Sequence, residues 1–168
     1  MIIIDTREQL PLWDDINFKV IRKKLDEGDY TTERLFNIAH IERKSAMDMY
    51  SSLIQGHKRF SREIQRAIEK DLSFAIFVEC TEKKFISMRF KGACRLQMKP
   101  ATLAKIVSTF QERYPIRIVW CKDREDMKTK MCLWFLAEEQ QLGEIREPMF
   151  TGFSLVRDPP NKHCKIIK

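Results

Sequence analysis

The chain has 168 residues, 33% of them charged and 43% hydrophobic, which suits one globular domain with a single substantial core and is too short for two of ordinary size. Thirty-one lysines and arginines stand against 24 acidic residues, a formal charge of +7, and that excess favours nucleic acid or another anionic partner. No apolar run approaches the roughly 20 residues of a membrane span and no signal peptide is visible, so a cytoplasmic protein without membrane contact is expected.

Met1 to Ile4 is a continuous apolar run of strand type, followed by Asp5-Thr6-Arg7-Glu8, and Pro11 with Trp13-Asp14-Asp15 marks a loop. Phe18 to Leu25 reads two ways. Phe18, Ile21 and Leu25 share a helical face, whereas Phe18, Val20 and Arg22 fit a strand running into Gly28-Asp29. From Asp29 to Lys44 a hairpin turning near Leu35 and Phe36 would set Asp29 opposite Glu42. Side chains alternate along a strand, so Glu42 and Lys44 share one face and Arg43 takes the other. Ser45 and Asp48 open a helical pattern that continues to about Lys70, with a break at Gly56, so two helices are expected.

Phe74 to Val78 reads as a short apolar strand. After Lys83 comes a basic, irregular stretch with Arg89, Lys91, Arg95 and Lys99. Pro100 suits the first turn of a helix whose apolar stripe is Leu103, Ile106, Val107 and Phe110. Ile116 to Trp120 is the next strand. Asp123 caps a last helix bearing Met127, Met131, Trp134 and Phe135, which Gly143 ends. Strands alternating with helices point to an α/β sandwich with helices on both faces. Residues 1–143 read as the domain. Residues 144–168, with three prolines and Lys162, Lys165 and Lys168, read as a basic extension, ordered in part around Phe150, Phe153 and Leu155. The five cysteines, at 80, 94, 121, 132 and 164, lack the paired spacing of a zinc site, and His163-Cys164 would need distant ligands, so reduced thiols are expected.

Cutting a phosphodiester calls for carboxylates that hold a divalent cation, plus a positive group that steadies the attacking water or the charge developing on phosphate. Asp29, Glu42 and Lys44 would bring all three to one end of a sheet, and oxygen ligands of this kind suit Mg²⁺ or Mn²⁺. A second triplet, Glu82-Lys83-Lys84, follows the apolar run to Val78 with Asp71 upstream, and spacing alone does not exclude it. Taken singly, Asp29 could serve only the turn after Gly28, and Glu42 with Lys44 could be an exposed pair on an edge strand.

The order Asp5-Thr6-Arg7-Glu8-Gln9, Gly28-Asp29-Tyr30, Ile41-Glu42-Arg43-Lys44-Ser45 and Asp48 resembles the XPF/Hef-type nuclease domain, a branch of the PD-(D/E)xK superfamily. The likeness runs on through Ser52-Leu53, Gly56, Arg59-Phe60, Glu63, Arg66, Glu79 and Arg113-Tyr114-Pro115-Ile116, and is greatest to short single-domain bacterial and phage members. It implies a restriction-endonuclease-like three-layer α/β/α sandwich with a central mixed sheet, and it favours a strand at Phe18 to Leu25. It implies metal ligation by Asp29 and Glu42, with Asp5 beside the metal or bound to it through water unless Asp5 only accepts hydrogen bonds in its loop. Lys44 would stabilise the hydroxide or the transition state, and Arg7, Glu8, Arg43 and Asp48 carry over as active-site residues. Arg43 could instead hold the structure or pair with Asp48, whose place near a helix start is also favourable in itself.

Lys58, Arg59, Arg62 and Arg66 recur at helical spacing and, with Arg89, Lys91 and Arg95, form the expected DNA-contacting set, the alternative being a solvated face. His57 stands where relatives often have Arg, and Phe60 is read as core. The resemblance implies an endonuclease acting on flap, fork or junction DNA, leaving 5′-phosphate and 3′-hydroxyl ends, in repair, recombination or phage DNA metabolism, with no small-molecule cofactor. Nuclease domains of this kind commonly pair, so a homodimer is a further expectation. Other readings stand beside it: a catalytically silent DNA-binding scaffold of the same fold, a general nicking enzyme of restriction type, and an accessory protein that meets a partner through its tail.

Overall fold

The computed structural model describes residues 1–13, 18–90 and 98–143. Lys91, Arg95, Cys94 and the whole extension 144–168 lie outside the described residues.

Six strands form one sheet: β1 (Ile2–Ile4), β2 (Val20–Arg22), β3 (Tyr30–Thr32), β4 (Ala39–Lys44), β5 (Ser73–Val78) and β6 (Arg117–Trp120). Their order across the sheet is β2-β1-β3-β4-β5-β6. β1 runs parallel to β2 and antiparallel to β3, β3 is antiparallel to β4, and β4, β5 and β6 are mutually parallel. The sheet is therefore mixed. The ambiguity at Phe18 to Leu25 resolves as a strand, but β2 stops at Arg22, so a five-residue connection rather than the strand itself leads into Gly28-Asp29.

The two faces follow from alternation. On β4 and β5, Ala39, Ile41, Ala75 and Phe77 pack with Met127, Met131, Trp134 and Phe135 of the single helix α5 (Arg124–Gln141). Phe74, Ile76 and Val78 point the other way, into a second core built by α1 (Ala46–Ile54), α2 (His57–Glu69), α3 (Glu82–Ser87) and α4 (Pro100–Arg113). This is a three-layer α/β/α sandwich. Trp13, in the loop after β1, is buried edge-on against Tyr30, with ring centroids 5.6 Å apart.

Local chemistry sets the helix ends. Ser45 Oγ accepts the Asp48 N–H at 3.1 Å and donates to its Oδ2 at 2.6 Å, a reciprocal cap for α1. Gly56 separates α1 from α2, Pro100 starts α4, and Asp123 accepts the Asp126 N–H to start α5. Gly143, at φ +69°, follows its end. The stretch after Lys83 is not irregular from its start, because Thr81 caps the short helix α3, which buries Phe85. Among the described residues Cys80, Cys121 and Cys132 are free and buried, and burial pushes the Cys121 and Cys132 thiols up to about 12. No helix of the described residues is long and apolar enough to cross a membrane.

Candidate active site

β4 is a central strand, so the exposed edge pair that Glu42 and Lys44 could have been does not exist. Both are buried polar residues, and their place on alternate positions makes them neighbours: Lys44 Nζ donates to Glu42 Oε1 at 2.7 Å. The lysine lies over the Phe60 ring, 4.5 Å from its centroid, which fixes the ammonium from below.

Asp29 reaches the same place from the adjacent strand. Tyr30 pairs with Ile41, and one step on the hairpin brings Asp29 beside Glu42. The Asp29 N–H donates to the Ile41 carbonyl at 2.7 Å, and Asp29 Oδ2 accepts the Arg43 N–H at 2.8 Å. Gly28 permits this approach through its φ of +75°. His40 braces it, with its two ring nitrogens 2.7 Å from the Glu27 carbonyl and 2.6 Å from that of Phe36.

Asp29, Glu42 and Lys44 line one open cleft of about 750 Å³, together with Arg7, Glu8 and Arg43 on the strand side and Asp48, Arg59 and Glu63 on the helical side. Burial, and next the Glu42 charge, pushes the Asp29 carboxyl well above the usual carboxylate range; the Arg43 N–H offsets only part of this. Burial likewise raises Glu42, with Glu63 adding to the rise and Lys44 opposing it.

A raised carboxyl makes the folded state hold more protons than the unfolded one between the two pKa values, so this group costs stability as pH rises through that window. Asp29→Asn is therefore expected to raise the melting temperature of the chelated protein at pH 7.5, with the gain vanishing below about pH 4, as the unfolded carboxyl is protonated too. A melt at pH 7.5 in which the variant is no more stable than the parent contradicts this account of the cleft.

Asp5 is placed differently. It lies outside the cleft lining, and its carboxylate accepts from Arg7 N–H and Nε, both at 2.7 Å, from Arg7 Nη2 at 3.3 Å and from the Leu25 N–H at 2.5 Å. Burial opposes its ionisation, but the bonds from Arg7 and Leu25 outweigh it and hold the carboxyl below its ordinary value. This is the geometry of the loop acceptor. Its effect is to orient the Arg7 guanidinium, which also donates to the Leu25 carbonyl at 2.7 Å, along the cleft wall.

Arg43 does not pair with Asp48. It faces the α5 side, where Nη2 donates to Glu79 Oε2 at 2.7 Å and Nη1 lies 3.6 Å from Glu8 Oε2; Asp48 is engaged with Ser45. The basic strip on α2 is also divided. Arg59 lines the cleft, Lys58 and Arg62 are exposed, and Arg66 Nε bonds the buried Glu27 at 3.0 Å. Arg89 is exposed at the end of a described segment. The second triplet falls on α3, with Glu82 exposed in its first turn rather than on a strand. Glu63 and Glu79 are the residues that sequence reasoning left out of the site. Glu63 had a signal, its helical spacing from Gly56 and Phe60, whereas Glu79 is joined to Arg43 only by the fold.

A mixed sheet sandwiched between helices, with two carboxylates and a lysine gathered on its central strands, is the restriction-endonuclease-like α/β architecture. The structure of XPF from Aeropyrum pernix has the same fold, with a TM-score of 0.58 and 22% identity over 85% of this chain and 69% of that one. XPF from the same organism in complex with DNA gives 0.58 and 22% over 87% and 67%. Residues 4–132 match the ERCC4 domain, and the chain belongs to that family of XPF-type nuclease domains. No curated protein matches it.

Proposed function

We propose that this protein is a divalent-cation-dependent DNA endonuclease that selects branched or single-strand/double-strand junction DNA. The observation that carries the reading is the convergence of Asp29, Glu42 and Lys44 in one cleft, with burial above all, and next the charge of Glu42 on Asp29 and of Glu63 on Glu42, keeping both carboxyls reluctant to ionise in the absence of a cation.

That donor set fits a hard cation. Asp29 and Glu42 would hold it through the oxygens that the bonds to Arg43 and Lys44 leave. Among the described residues no group of three or more His, Cys, Asp or Glu could hold a metal ion, so water would fill the remaining positions, as Mg²⁺ prefers. Bound there, Mg²⁺ or Mn²⁺ would supply Lewis acidity towards water and phosphate. Lys44 orients the attacking water and stabilises the negative charge that grows on the phosphate oxygens. Arg7, held by Asp5, offers a pre-set guanidinium to a phosphate, and Arg59 does so from the opposite wall. Membership of a nuclease family and the retained carboxylates favour this reading over a silent scaffold.

Supercoiled plasmid, a flap, a splayed arm and a four-way junction, each with Mg²⁺, Mn²⁺ or chelator, test it. Cleavage is expected with cation and none with chelator, and binding should weaken as salt rises. Cleavage that persists undiminished in chelator would overturn the cation-dependent assignment.

A further inference from the structure

We propose that Leu10 is the specificity-determining residue of this cleft, an apolar edge on which the first unpaired nucleobase beside the scissile phosphate rests. This rests on the nuclease reading above.

Single exposed leucines are ordinary on protein surfaces, but three observations set this one apart. It is 67% exposed, more than any other large apolar residue described, and it lines the same cleft as Asp29, Glu42 and Lys44. The remaining exposed large apolar residues, Ile21, Met47, Leu133 and Leu142, do not line that cleft.

Its backbone is also fixed on both sides by a closed ring of polar contacts. The Leu10 N–H donates to Glu8 Oε1 at 2.7 Å, and the other Glu8 oxygen faces Arg43 Nη1 at 3.6 Å. Arg43 donates to Glu79 Oε2, which lies 3.7 Å from Arg124 Nη1, and Arg124 Nη2 returns to the Leu10 carbonyl at 2.8 Å and to that of Pro11. The ring passes through Arg43, the residue between Glu42 and Lys44, so the position of Leu10 is tied to the catalytic strand itself.

A side chain presented to water from so firmly held a backbone, at the rim of a polar cleft, has no partner among the described residues to explain it. Duplex DNA offers phosphates and paired base edges to such a cleft. A splayed or frayed strand adds an apolar base face, against which an aliphatic side chain gains by excluding water. Arg7 and Arg59 contact phosphate alike in either DNA, whereas Leu10 rewards only the unpaired one. Selection of junctions can thus come from within the domain.

The test uses the full chain and a splayed-arm DNA with 2-aminopurine as its first unpaired base. In a Lys44→Met background with Mg²⁺ the DNA stays intact, and binding should change the fluorescence of the probe. Adding Leu10→Ala should remove most of that change, and Leu10→Met should keep it. In the active protein, Leu10→Ala should lower the ratio of kcat/KM for splayed arm over continuous duplex by about tenfold, the loss expected when a leucine contact goes. A melting temperature unchanged within about 1 °C, as an exposed position predicts, separates this from misfolding.

Leu10→Ala with the ratio and the probe signal both within twofold of the parent overturns the proposal. So does loss of self-association by Leu10→Ala without any change in the probe, which would place a second copy of the chain on that edge. Failure of the nuclease reading shows differently: the parent cleaves nothing, while the binding signal still reports on Leu10.

Discussion

Lys44→Met should slow cleavage by about 10²–10³-fold or more while the protein stays folded and binds DNA as before. The methionine keeps an unbranched stem over the Phe60 ring and removes the ammonium that lies 2.7 Å from Glu42 Oε1. Packing is therefore conserved, and only the charge that meets the water and phosphate is lost. Either substitution leaves the buried Glu42 without its cation; Lys44→Ala is the harsher change, because it also opens a gap over Phe60. Single-turnover cleavage of a junction substrate, with binding read by fluorescence anisotropy, separates chemistry from affinity. A Lys44→Met rate within about tenfold of the parent would remove the lysine from the mechanism.

Gly28→Ala should damage the fold and the site together. The glycine sits at φ +75°, and a Cβ there would stand 2.9 Å from the Ile41 carbonyl oxygen and 3.3 Å from His40 Cβ. The left-handed conformation costs an alanine about 1–2 kcal/mol by itself. The oxygen it meets belongs to a strand bonded on both sides, so the clash cannot be relieved by a side-chain rotation. A total destabilisation on the order of 3 kcal/mol follows, seen as a fall of about 6–12 °C in melting temperature. Any folded fraction must shift Asp29 away from Glu42 and lose cleavage. Circular dichroism melts and the junction assay check both parts, and a melt within about 2 °C of the parent would contradict the close approach.

The sequence carried β4 further than its neighbours because period-two alternation and hairpin symmetry are both local. Glu42 and Lys44 on one face, Arg43 on the other and Asp29 opposite Glu42 all follow from counting residues, and the fold has them so. The caps at Ser45 and Asp123 and the break at Gly56 were legible for the same reason. Arg43 shows where counting stops: its nearest acidic residue in the chain is Glu42 and one reading paired it with Asp48, yet it bonds Glu79, thirty-six positions away. Arg66 reads as part of a basic strip until the fold sets Glu27 against it. α3 escaped notice because six residues hold one buried side chain, Phe85, and no period can be counted from a single contact.

The bond from the Arg43 amide to Asp29 Oδ2 has a use in spectroscopy. An amide proton given to a carboxylate resonates according to the charge it meets, so that one ¹⁵N–¹H cross-peak follows Asp29 through titration and through ligand addition. The protein thus carries a native reporter beside its candidate site, needing no dye or substitution, only ¹⁵N enrichment.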